Sequence, residues 1–128
     1  MKTLILNNGK LTQKDISNTL ETLQEIVGGY IEIPFLSQVF FENDIDIIIN
    51  EEGKLIDGFK PEIAIVSKDK GNILDLVYGT CIFASHDKYG ETIALNIEQA
   101  EIVKKELKDV ILTNQDTGET QFIKALLI

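Results

Sequence analysis

Apolar residues along the chain fall into short blocks separated by polar turns, and the period inside each block predicts its element. Residues 3–6 form an apolar run closed by Asn7-Asn8-Gly9, a strand followed by a turn. Residues 10–16 alternate weakly, as the returning arm of a hairpin would. Asn18 and Glu21 have the spacing of a capping box, with Ser17 as a second candidate cap. Leu20, Leu23, Ile26 and Val27 then fall on one helical face, and Gly28-Gly29 ends that helix. Residues 30–35 alternate with Glu32 outward, a strand that Pro34 ends or confines to an edge. Residues 37–44, SQVFFEND, read as a loop or helical turn, and residues 44–50, DIDIIIN, as a β-branched central strand.

Glu51-Glu52-Gly53-Lys54 makes a tight turn, after which Leu55-Ile56 continues briefly. Residues 63–66 are another apolar run, followed by a polar turn over 67–72. Residues 75–85, DLVYGTCIFAS, predict one long strand with Gly79 as a bulge. Residues 86–91 form a polar turn and 93–95 a short strand. Asn96 is a good cap for a helix over 97–107, with Glu98 in its first turn and Lys104, Lys105 and Lys108 toward its end, as the helix dipole prefers. Residues 110–113 and 120–127 flank Asp116-Thr117-Gly118, which predicts a terminal hairpin. With no internal repeat or linker, the pattern predicts one α+β domain over 1–128: a mostly antiparallel sheet, two helices packed on it and a C-terminal β-hairpin.

Composition narrows the function classes. With 44% apolar and 26% charged residues, the 128-residue chain is long enough to bury a core and is not a disordered segment. Its longest apolar runs fall far short of the ~20 residues of a membrane span, so no membrane partner is expected. The first residues read as a strand, not a secretory leader. A single cysteine, Cys81, rules out an intramolecular disulfide and fits a reducing cytoplasm. The net charge of −9 argues against binding to nucleic acid, which requires clustered positive charge. All 12 basic residues are lysine, so an anion site here must use point charges, backbone N–H groups or hydroxyls instead of the guanidinium fork.

The glycine pair in LQEIVGGYIE raises the question of phosphate binding. Unsatisfied N–H groups and positive dipole lie at a helix N-terminus, whereas Gly28-Gly29 follow the helix at its negative end. They read as a left-handed C-cap and a turn into the next strand. The segments LQEIVGGYIE, IINEEGKL, DLVYGTCIF and LNIEQAEIVKKEL together resemble a small family known as a domain of unknown function, number three thousand eight hundred and forty-six. The resemblance covers roughly residues 1–107, leaving residues 108–128 as an added hairpin. It implies a phage or mobile-element setting and supplies no catalytic residues. The family's Asn-Arg pair after the N-E-E-G-K turn has no counterpart here, although Pro61 is present.

Among chemistry-bearing residues, the lone His86 lies in the polar turn Ser85-His86-Asp87, where adjacency in sequence is no triad geometry. One cysteine and one histidine cannot complete a zinc site, and no metal or cofactor is expected. Asp44 and Asp46 share one strand face by the period-two rule, which reads first as a solvated face. Phe40-Phe41 is a different case: only one of two adjacent rings is easily buried, which leaves the other for a partner subunit or for stacking on a base. Phe40, Phe41 and Tyr89 are the candidate stacking residues, with Lys60 and Lys88 for an anionic group. The expected function is non-enzymatic: a homo-oligomeric counter-defence protein of the host cytoplasm that sequesters a small nucleotide-derived immune signal. The alternatives are an acidic decoy that occupies a host restriction or other DNA-binding protein, or an uncharacterised interaction module.

Overall fold

The computed structural model describes residues 1–128. The chain opens on a hairpin of β1 (Lys2–Asn7) and β2 (Lys10–Asp15). Its turn residues, Asn8 and Gly9, lie at φ 53° and 76°, the paired positive angles that match the twist of a tight hairpin. Helix α1 (Leu20–Val27) is capped by Thr19, whose hydroxyl accepts from the Thr22 N–H. Neither Ser17 nor Asn18 takes the expected capping role; the Asn18 amide instead donates to the Thr92 carbonyl.

The strand expected over 30–35 shrinks to β3 (Ile31–Glu32), because beyond it the chain turns toward Pro34 and leaves the sheet. Ser37 then caps the short helix α2 (Gln38–Glu42), which resolves the loop-or-turn alternative. After β4 (Ile45–Asn50) and a 3-10 turn (Gly53–Leu55) come β5 (Pro61–Val66), β6 (Ile73–Tyr78) and β7 (Cys81–His86). The last elements are β8 (Thr92–Ile93), α3 (Ile97–Glu106), β9 (Leu107–Thr113) and β10 (Thr120–Leu127). Asn96 caps α3 as expected, and Gln99 returns a hydrogen bond to the Asn96 N–H.

The α+β class is as the pattern predicts, with one difference of layout. The strands form two sheets, β2-β1-β7-β4-β3 with β8 beside β7, and β6-β5-β10-β9. Only β5 and β10 pair in parallel. The stretch expected as one long strand over 75–85 is therefore two strands in different sheets. Gly79, at φ 89°, turns the chain between them, and a Cβ there would lie 2.7 Å from the Phe59 ring.

The central strands of the first sheet, β4 and β7, are buried on both faces, which is why DIDIIIN and CIFAS read as nearly continuous apolar runs. Ile45, Ile47, Cys81 and Phe83 join the main core with Ile63, Ile65 and Leu126 of the second sheet, Phe40 of α2 and Val103 of α3. Ile48, Ile82 and Ala84 point the other way and pack on Leu23 and Val27 of α1. The terminal hairpin is no loose addition, since β10 lies between β5 and β9 and buries Ile123, Ala125 and Leu126.

Candidate functional site

Two of the segments that carry the family resemblance meet in space. Gly28 takes the left-handed conformation at φ 84°, and the N–H groups of Gly28 and Gly29 both donate to the Gln24 carbonyl. Asn50, at the head of the N-E-E-G-K turn, is buried beside this helix end. Its amide donates to the Val27 carbonyl at 3.2 Å, and its side-chain oxygen accepts from the Glu52 N–H at 2.8 Å. Gly29 does not have the positive φ expected of it. Instead its α-carbon lies so close that a Cβ would be 2.8 Å from the Asn50 amide nitrogen. Gly53 is small for the same kind of reason, with the Tyr78 carbonyl 2.6 Å from a built Cβ. Lys54 ion-pairs with Asp75 at 2.5 Å. Both motifs are architecture: one asparagine satisfies a helix C-terminus and a turn together.

A largely apolar cavity lies elsewhere, at the edge of β4 that β3 stops covering. It has a volume of about 240 Å³ and is walled by residues 33–37, Phe40, Phe41, Ile45 and Ile47. Its titratable groups are Asp46 and His86. Antiparallel pairing of β4 with β7 puts Asp46 opposite Ala84, which brings the two side chains together at one end of the sheet. His86 Nδ1 lies 3.0 Å from Asp46 Oδ2, and Nε2 lies 3.4 Å from Asp44 Oδ1. Asp44 reaches this position from a left-handed backbone at φ 55°. The imidazole therefore lies between two carboxylates, hydrogen-bonded to Asp46 and within 3.4 Å of Asp44.

The mouth of the cavity is aromatic. Phe41 and Phe35 are each 65% exposed, with ring centroids 5.8 Å apart and planes tilted by 59°. Phe40 turns inward, 2% exposed, and meets Phe83 edge-on at 6.2 Å. Successive residues of a helix point about 100° apart, so the five-residue α2 divides the pair between core and solvent.

The five candidate contact residues do not gather at one place. Phe40 and Phe41 line this cavity, but Phe40 does so from within the core. Lys60 lines a different hollow, together with Gly28, Phe59 and Thr80. Lys88 and Tyr89 sit on the turn between β7 and β8, where the Lys88 ammonium lies 5.2 Å from the Tyr89 ring centroid. Phe35 and the His86–Asp46 pair are site residues that pattern reading did not single out together. Forty positions separate the last two in sequence, and only the β4–β7 register joins them.

Two further groups are structural. Burial pushes the Cys81 thiol far above its ordinary range, and the Glu62 carboxylate adds to the effect, so this sulfur is kept as an unreactive core group. Glu62 itself is buried and accepts from the N–H groups of Asn8 and Gly9, both at 2.9 Å. The first hairpin's turn thus forms a small anion-binding nest around a carboxylate of β5 and ties the two sheets together.

No group of three or more His, Cys, Asp or Glu side chains is arranged to hold a metal ion, and no helix is long and apolar enough to cross a membrane. No curated protein and no solved structure matches the chain. The helix-Gly-Gly-strand segment and the N-E-E-G-K turn that Asn50 locks to it both fall within residues 1–108, over which the chain matches, and belongs to, the family described as a domain of unknown function (DUF3846).

Proposed function

We propose that the protein is a non-enzymatic binding module that captures a small nucleotide-derived molecule by its base in the cavity beside β4. The observation that carries this reading is the exposed Phe35–Phe41 pair at the mouth of a mostly apolar cavity. Two large rings left in water cost apolar exposure, and a planar base stacked on one of them, with the other tilted against its edge, recovers part of it, at about 1–3 kcal/mol per stacked base. The cavity floor defines the rest of the chemistry. The Asp46 carboxylate in its lining, with Asp44 beyond it on the far side of His86, disfavours a bare phosphate and accepts from exocyclic amino groups, so the base enters and the phosphates stay outside. Lys88, two residues beyond His86, is the cation assigned to them; Lys60 lines another hollow and is not. In the phage and mobile-element setting that the family resemblance implies, sequestration of a host immune signal is the role this chemistry serves.

A second reading has its own observation. Glu51 and Glu52 are exposed and line a second hollow with Glu32 and Asp75, an acidic surface on a chain of charge −9. Such a surface suits a decoy for a host DNA-binding protein. Native mass spectrometry of the chain recovered from bacteria with active nucleotide-signalling immunity separates the two. Capture predicts a retained small-molecule mass that Phe41→Ala removes while the melting temperature stays within a few degrees. A retained host protein that is lost on Glu51→Gln/Glu52→Gln and survives Phe41→Ala would overturn capture in favour of the decoy.

A further inference from the structure

We infer that β9 is a homodimer edge, across which a second copy of this chain continues the second sheet through a two-fold axis at Ile111. An unpaired strand edge is a template for another strand, and proteins blunt the edges they do not use. Four boundaries of the two sheets here are blunted. Strand β2 carries Lys10, Lys14 and Asp15, and β3 and β8 are each two residues long. Strand β6 pairs with β5 through register shifts and carries the Lys54–Asp75 ion pair. Strand β9 runs seven residues along the remaining edge, and its stretch Val110-Ile111-Leu112-Thr113 has neither charge nor proline.

The occupant follows from charge and register. Residues 104–128 hold four lysines against four carboxylates and are neutral, while the whole chain carries −9. This end is where a second copy can approach without the repulsion the rest of the surface imposes. Antiparallel pairing centred on Ile111 sets Ile111 opposite itself and Val110 opposite Leu112 of the other copy. Asp109 then faces Thr113. Centring on Asp109 or on Lys108 would instead oppose like charges. Ile111, 60% exposed, is already the cross-strand partner of Phe122, 71% exposed. The Ile111 axis therefore joins two exposed pairs into one four-residue apolar row, an isologous contact that closes on itself.

Sedimentation of the full chain across micromolar concentrations should give twice the 14.3 kDa chain mass. Ile111→Lys, at an exposed position, should sediment as a monomer with an unchanged melting temperature. Ile111→Cys should form a disulfide-linked dimer under mild oxidation, because directly opposed residues of an antiparallel pair have Cα atoms about 4.5–5.5 Å apart, within the span of a disulfide. The native Cys81 is wholly buried and does not interfere. Leu74→Cys, exposed on β6 at the opposite edge, should stay reduced. A monomeric wild type, a dimer that persists in Ile111→Lys, or cross-linking at Leu74→Cys without it at Ile111→Cys would each overturn the inference. If Ile111→Lys failed to fold, the two cysteine variants alone would decide.

Discussion

Asn50 shows how one side chain couples two distant pieces of sequence. Its amide satisfies the Val27 carbonyl at the end of α1, its oxygen holds the Glu52 N–H, and it is buried while doing both. Removing it leaves a buried carbonyl without its partner, at a cost of about 1–3 kcal/mol. Asn50→Ala should therefore lower the unfolding free energy by that amount in a denaturant titration. The neighbouring glycines should respond for different reasons. Gly28→Ala forces a Cβ into a left-handed backbone, while Gly29→Ala meets no such penalty and instead presses on the Asn50 amide. The combination Gly29→Ala/Asn50→Ala should consequently lose less stability than the sum of its parts, because the second change removes the clash of the first. Additive effects would show that Gly29 does not report on Asn50.

At the scale of elements, the link between the N-E-E-G-K turn and β6 is electrostatic as well as steric. The hydrogen bond from Lys54 holds the Asp75 carboxyl below its ordinary 3.8, against a smaller opposing effect of burial. A carboxyl depressed in the folded state stabilises the fold above the unfolded-state value and loses that contribution as the pH falls through the folded-state value. Both side chains are more than half exposed, so solvent screening limits the pair to under about 1 kcal/mol. Lys54→Met should melt slightly below the wild type at neutral pH and low salt. The gap should narrow as the pH is taken progressively below 3.8, or as salt is raised. A gap independent of both would assign the loss to packing of the lysine stem instead.

For the whole molecule, the question is whether the family-like portion stands without the hairpin that follows it. The family match ends at residue 108, yet β10 is the parallel neighbour of β5 and contributes Ile123 and Leu126 to the interior. Each fully buried side chain of this size is worth about 1.5–3 kcal/mol, against a total stability of about 5–15 kcal/mol for a domain. The β5 ladder would also be left unpaired on that side. A chain cut after Lys108 should therefore show no cooperative thermal transition and should aggregate, as followed by circular dichroism and light scattering. A cooperative melt near that of the full chain would show that β9 and β10 are dispensable to the core.

Local order was legible in the residues themselves. The Asn8-Gly9 hairpin, the Asn96 cap, the break at Gly28-Gly29 and the terminal hairpin all follow from backbone preferences and short-range hydrogen bonds. These operate within a few residues and need no knowledge of the fold. The division of Phe40 from Phe41 was legible too, since adjacent side chains diverge in either regular conformation. What tertiary structure alone decided is which strands became neighbours. Period-two patterning marks a strand but does not name its sheet, so the run through Gly79 read as one strand, although its halves lie in two sheets. Two-sided burial of β4 and β7 further erased the alternation that would have marked their faces. The meeting of Asp46 and His86 at a cavity rimmed by Phe35 and Phe41 has the same origin. It depends on one antiparallel register between segments about forty residues apart. Register is selected by the burial of whole faces, a sum over the entire core that no local stretch of sequence contains.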